Sequence, residues 1–228
     1  MAARNGLPHV AKGEVMRGVA LMSSAYLAPV EWYVRLLAYP RVRVERFDHY
    51  VKQTYRNRCV IGAESGRLAL TVPTVDTGGG KTLMGEVRIS EHGGWRRVHW
   101  NALEAAYRHS PFFDFYADEL LAIYETRHEW LLDFNRAMAE WACRQIDIRP
   151  EVEYSERYVA VPDDADDFRE AIHPKRATQT LTERYWQVFS EKNGFLPGLS
   201  IADLLFNMGP ESLLVLSRGA EKLKLIIG

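Results

Sequence analysis

The 228 residues, 47% hydrophobic, 26% charged and 11% aromatic, suffice for one sizeable folded domain and exclude an extensively disordered chain. A formal net charge of −1 excludes a global field that would recruit nucleic acid or an anionic membrane. Two cysteines, Cys59 and Cys143, make no disulfide framework and no metal spacing, and read as buried small hydrophobes.

Residues 1–17 carry Gly, Pro and mixed charge without periodicity and read as a flexible leader. Gly18–Ser23 is a short apolar run suited to a buried strand. It is too brief for a signal-peptide core and lacks a cleavage site, and no stretch reaches the ~18 apolar residues of a membrane span. A cytoplasmic placement with no transmembrane segment follows as the expectation. Pro29 suits the first turn of a helix over 30–39, where Val30, Tyr33, Val34 and Leu37 recur at helical spacing before Pro40. Arg41–Phe47 alternates charged and apolar residues, so strand, helix and strand make a βαβ unit.

Further strands are expected at Arg58–Ile61, Arg67–Val75 and Gly85–Ser90, with glycine-rich turns between them. From Trp95 the period becomes helical up to Ser110-Pro111, with Trp100, Leu103 and Tyr107 on one face. A second helical stretch covers Phe115–Ile146, long enough that a break is expected near Glu125–Glu129. Val152–Val159 reads as a strand, Asp163–Asp167 as an acidic connector, and Leu181–Glu191 as a helix stopped by Asn193-Gly194. Ser200 to Asp203 resembles a capping box opening a helix that ends near Gly209. The fold class is therefore α/β: an N-terminal βαβ unit and a mixed sheet of about five to six strands, packed by a helical bundle. Residues 18–160 form the α/β core, and 161–228 a helical extension on the same domain.

Several constellations carry chemistry. Lys52, Arg56 and Arg58 lie at even spacing and share a face if the stretch is extended, where arginine forks suit phosphate or carboxylate. Gln53 and Asn57 add polar contacts. The plainer reading is a charged, solvated strand edge. His92, His99 and His109 are the proton-transfer candidates, since histidine titrates near neutrality. On a helix Trp95, His99, Ala102, Ala106 and His109 share a face, and the alanines leave a shallow hollow. The plainer reading there is core-edge histidines bonded to backbone. His92-Gly93-Gly94-Trp95 reads as a glycine turn feeding a helix N-terminus. Ser23, Ser24 and Tyr26 follow the first strand, where open α/β sheets bind ligands. No metal site, P-loop, nucleophile elbow or dinucleotide fingerprint is present, and no cofactor is indicated.

Several segments together resemble the WbqC-like family across roughly residues 18–210. They are Ala25-Tyr26-Leu27-Ala28-Pro29, Lys52 to Arg58, Leu70-Thr71-Val72-Pro73, Ile89-Ser90-Glu91-His92, Trp95, His99-Trp100-Asn101, Tyr107, Ser110 to Phe113, and Leu132 to Asn135. That resemblance implies an association with bacterial O-antigen and surface-polysaccharide gene clusters, and acyl or aminoacyl transfer onto a sugar. Family members open with His-Gln-Pro-x-Tyr-Leu-Pro, whereas this chain has Ser23-Ser24-Ala25-Tyr26-Leu27-Ala28-Pro29.

The resulting expectation is a transferase acting on a nucleotide- or lipid-linked sugar. His92 or His99 would be the general acid or base. Lys52, Gln53, Arg56, Asn57, Arg58, Ser24 and Asn101 would contact the ligand, and Tyr26 and Trp95 would pack on the sugar. The alternative is a non-catalytic sugar-phosphate-binding or scaffold protein of the same pathway. A third reading is an interaction protein that forms a homo-oligomer through its C-terminal aromatics.

Overall fold

The computed structural model describes residues 16–76, 81–175 and 181–227. The leader up to residue 15 and glycines 78–80 lie outside the described residues. The βαβ unit is present: β1 (Val19–Ser23), α1 (Val30–Ala38) and β2 (Arg41–Glu45), with β1 and β2 parallel and Met22 opposite Val44. The hairpin β3 (Arg58–Ala63) and β4 (Gly66–Thr71) is antiparallel and forms its own small sheet.

A 3-10 turn at His92–Gly94, with Gly93 and Gly94 at φ +79° and +57°, feeds α2 (Trp95–Tyr107). The following helices are α3 (Phe113–Glu125) and α4 (Leu131–Ile146), and their break falls where charge interrupts the apolar stripe. β5 (Glu151–Tyr154) adds to β2, and the two-residue β6 (Asp166–Asp167) adds to β1, both parallel. The chain closes with α5 (Ser190–Asn193), α6 (Ile201–Met208) and α7 (Ser212–Ile227). The six strands thus divide between a four-stranded parallel sheet, ordered β5-β2-β1-β6, and the hairpin.

The two faces of the larger sheet differ. Ala20, Met22, Val42 and Val44 face the main core under the helices, whereas Val19 and Leu21 meet Ala165 on the opposite face. There Arg43 of β2 pairs with Glu153 at 2.7 Å and Asp164 at 2.8 Å. The Arg-Val-Arg-Val alternation of β2 records this division. Burial of Trp141, Phe134, Tyr124 and Phe206 fills the helical side.

Several expected elements differ: the strands expected at Val152–Val159 and Arg67–Val75 stop at Tyr154 and Thr71, and the acidic connector contains β6. Gly85–Ser90 forms a 3-10 turn and isolated bridges from Arg88 and Ile89, because those residues pair with Trp130 and Thr74 rather than with one strand. Leu181–Glu191 is helical only in its last two residues, within α5. Tyr185 and Gln187 instead reach Asp203 at 2.7 and 3.0 Å, and the Val188 amide donates to Asn207. Residues 51–57 are turns rather than strand, with Gln53 at φ +62°. The Ser200 cap holds, its Oγ accepting from the Ala202 amide at 3.2 Å. Asp203 does not complete the box; its carboxylate also accepts from Tyr107 at 2.8 Å.

Candidate functional site

The strand order places β1 centrally, with β2 reached on one side through α1 and β6 on the other. The carboxyl ends of β1 and β6 therefore flank a topological switch point, the place where open α/β sheets hold ligands. Next to it a cavity of about 540 Å³ opens between the segments that follow β2 and β6, lined by Asp48, His49 and Arg56 on one side and Asp167, Arg169 and Glu170 on the other. Phe47, Val51, Tyr158 and Ala160 complete it.

Its charges are built in pairs. Arg56, 5% exposed, donates to the Asp48 carboxylate, and Glu170 lies 4.0 Å from the same guanidinium. Burial raises the Asp48 carboxyl above its usual range, and the field of Arg56 opposes the rise. Arg169 forks onto Asp167 through Nε at 3.0 Å and Nη2 at 2.7 Å, reaches Glu45 at 3.3 Å, and lies over the Tyr158 ring. Burial works against its charge, but its hydrogen bonds with Asp167 and the acids around it hold the guanidinium above its ordinary pKa. Glu45, 1% exposed, also accepts from Ser155 and from the Phe47 amide. One oxygen of Asp48 and the Nε of Arg56 have no protein partner. Ser23 Oγ donates to the Arg169 carbonyl at 3.2 Å and so ties the ends of β1 and β6 together.

The amino end of α1, the phosphate seat of a dinucleotide fold, is closed by protein. The Val30 amide donates to Leu199 at 3.0 Å, and the Ile201 amide to Ala28 at 2.9 Å. The 24–29 loop is buried, with the Tyr26 amide donating to Tyr55 at 2.9 Å.

The residues expected from sequence separate into three groups. Ser24 and Arg56 are joined by Asn135, a residue outside the expected site: its Nδ2 donates to Ser24 Oγ at 2.9 Å and to the Arg56 carbonyl at 2.8 Å, while the buried Asn57 donates to the Val72 carbonyl. Tyr26, Trp95 and His99 form a second group in the core. His99, 4% exposed, lies 2.9 Å from the Tyr26 hydroxyl through Nδ1, and Tyr26 in turn bonds Tyr124. Burial holds the imidazole down to about 4, opposed by the Thr71 backbone. Trp95 packs edge-on against His99 and Phe134 and donates to the Ser90 carbonyl. The third group is exposed: His92, Asn101, Lys52 and Gln53.

Two expectations are overturned. Lys52, Arg56 and Arg58 do not share a strand face, because the chain turns between them. Lys52 lies 3.5 Å from Asp76, Arg56 faces inward, and Arg58 donates to Thr71. The helix face from Trp95 to His109 is not a hollow either, since His99 and Ala106 are buried and His109 is exposed. Neither this cavity nor the groove described below is lined by His92, Trp95, His99 or Asn101.

Asp48, His49, Asp167, Arg169 and Glu170 were missed from sequence. The signal for the first two was available: Asp-His follows the end of the second strand, at the sheet edge where ligands bind. Arg169 pairs locally with Asp167, two residues before it, but its other carboxylate partner, Glu45, comes from β2. Among the described residues no group of His, Cys, Asp and Glu is arranged to hold a metal ion, and no helix is long and apolar enough to cross a membrane.

Comparison with known proteins adds one relative and one family. Over 224 residues the chain is 28% identical to an uncharacterized protein of Mycobacterium tuberculosis, covering 86% of this chain and 96% of that one. No solved structure matches it. The family model of WbqC-like proteins matches residues 46–182, the span that supplies most of the cavity's lining, and on that match the chain belongs to the WbqC-like protein family.

Proposed function

We propose that the protein binds a sugar-phosphate or nucleotide-sugar ligand in the cavity beyond β2 and β6, in bacterial surface-polysaccharide synthesis. The observation that carries this reading is the interleaving of Asp48, Asp167 and Glu170 with Arg56 and Arg169 beside the Tyr158 ring. Sugar hydroxyls donate to carboxylates and accept from guanidiniums, and an aromatic ring covers the C–H face of a pyranose. A phosphate suits the rim better than the interior, where both guanidiniums already face acids. Lys52 and Gln53 follow Val51 there, and Lys175 donates to Gln53 at 3.0 Å. The pathway rests on the family resemblance.

A second reading, acyl or aminoacyl transfer to the sugar, is favoured by His49, an exposed imidazole lining the same cavity. In it, the acceptor hydroxyl oxygen attacks the donor's carbonyl carbon and His49 takes the hydroxyl proton. The bond to the donor's leaving group then breaks, and His49 returns the proton to that group.

A thermal-shift screen with sugar phosphates, nucleotide sugars, aminoacyl donors and coenzyme A tests both. A nucleotide sugar at about 100 times its dissociation constant stabilises the fold by about 2.7 kcal/mol. Tyr158→Ala and Glu170→Gln should abolish that shift without lowering the melting temperature of the free protein. Retention of the shift in both variants, or no shift with any sugar, refutes the site. His49→Ala should keep the shift and abolish acceptor-dependent consumption of the donor; a pure binder has no such turnover.

A further inference from the structure

A second cavity, about 420 Å³, runs between α1 and α4 above β2 and β5. Trp32 and Leu36 form one wall, Ala139 and Cys143 the other, and Val152 and Tyr154 contribute from the sheet. Its size is that of small-molecule sites, and its walls are largely apolar. Ser24 and Asn135 supply a polar end.

Asn135 is 2% exposed, and its amide orientation is fixed by chemistry. The Arg56 carbonyl can only accept, so the atom 2.8 Å from it must be the Asn135 nitrogen. The amide oxygen is then left buried with no partner in the protein. An unfilled acceptor in a buried amide is destabilising unless something donates to it. Beside it, Ser24 Oγ accepts from Asn135 and keeps its own proton to donate. Asn135, which lines this end, therefore lacks one donor for an oxygen sealed in the empty groove, and Ser24 has one proton to give. At the mouth, Arg136 faces Asp133 and Glu140, and Arg144 faces Glu119, so the charges there are already matched and an uncharged occupant suits the groove.

We propose that this groove is a second binding site, for an uncharged molecule with an apolar body and a polar head that both donates and accepts a hydrogen bond, as a primary amide does. The site is carried by a different cavity and does not depend on the sugar reading. The two approach each other at Ser24: a hollow of about 20 Å³ lined by Ser24, Trp32, Arg56 and Arg169 lies between them. A molecule in each would bring two polar ends to that residue.

Cys143 supplies a readout in the unaltered protein, because it lines the groove while Cys59 is fully buried elsewhere. Alkylation of each thiol by N-ethylmaleimide is followed by peptide mass spectrometry with hexanamide, hexanoate or N,N-dimethylhexanamide present. Hexanamide at about twice its dissociation constant should slow Cys143 alkylation about threefold by mass action. N,N-Dimethylhexanamide, which has no donor, should protect at least several-fold less at the same concentration, and hexanoate likewise. Ala139→Phe should slow alkylation without any probe and remove the hexanamide effect. Equal protection by the dimethyl amide, or an unchanged rate with hexanamide, overturns the proposal. The second result would leave the groove a water-filled crevice.

Discussion

Replacing His99 by glutamine removes a titrating group that folding holds neutral. Its imidazole falls from 6.5 to about 4 in the folded chain through burial, opposed by the Thr71 backbone. A depressed pKa gives stability that is fully present above pH 6.5 and is lost as pH falls toward 4. The shift corresponds to about 3 kcal/mol at about 1.36 kcal/mol per pH unit. Asp203 works in the opposite sense. Burial raises its carboxyl from 3.8 to about 6, against the hydrogen bonds of Tyr185, Tyr107, Gln187 and Asn207. A raised carboxyl pKa gives stability that is fully present below pH 3.8 and is lost as pH rises through 6, about 2–3 kcal/mol over the same interval. The two groups therefore largely cancel between pH 4 and 6 in the native protein. At pH 7, His99→Gln carries the cost of the lost Tyr26 contact and ring packing, and that penalty should shrink by about 3 kcal/mol on going to pH 4. The penalty of Asp203→Asn should shrink in the other direction, from pH 4 to pH 7. Urea unfolding followed by tryptophan fluorescence measures both differences. A His99→Gln penalty that is constant across this range, or that grows toward acid, refutes the reasoning.

Other perturbations read single features. Arg56→Met strands the Asp48 carboxylate in the interior and should cost about 3–5 kcal/mol, whereas Asp48→Leu combined with Arg56→Met should recover most of it; urea midpoints decide. Gly209→Ala places a methyl 2.5 Å from the Phe112 ring at φ +52°, and should cost about 1–3 kcal/mol by the same measurement. Burial pushes both thiols up to about 12, so alkylation should be slow at each, but Cys59, 1% exposed, should resist it far longer than Cys143, which lines the groove and is reached by reagent.

The βαβ unit was legible because its period, Pro29 and Pro40 are local signals. The α3–α4 break was legible for the same reason, charge interrupting a stripe. What failed was non-local. Leu181–Phe189 has helical composition, but Tyr185 and Gln187 extend to satisfy the buried Asp203 of α6. β6 is two aspartates, a pair no propensity scale favours, fixed by pairing with β1. Ser24 and Arg56 stand out by their places after β1 and in a basic run, but their connection through Asn135 spans 111 and 79 residues and leaves no local signal. The histidines of the 92–109 region were identified by residue type and by helical spacing with two alanines. Residue type does not distinguish an imidazole facing a cavity from one bonded to Tyr26 inside the core.

Backbone amide exchange with and without a saturating nucleotide sugar, such as a uridine diphosphate hexose, tests the switch-point site most directly. Slowed exchange should fall in residues 47–51 and 158–170, the segments lining the cavity beyond β2 and β6. Slowing confined to residues 92–109, or none at saturation with any sugar that shifts the melting temperature, would contradict the assignment.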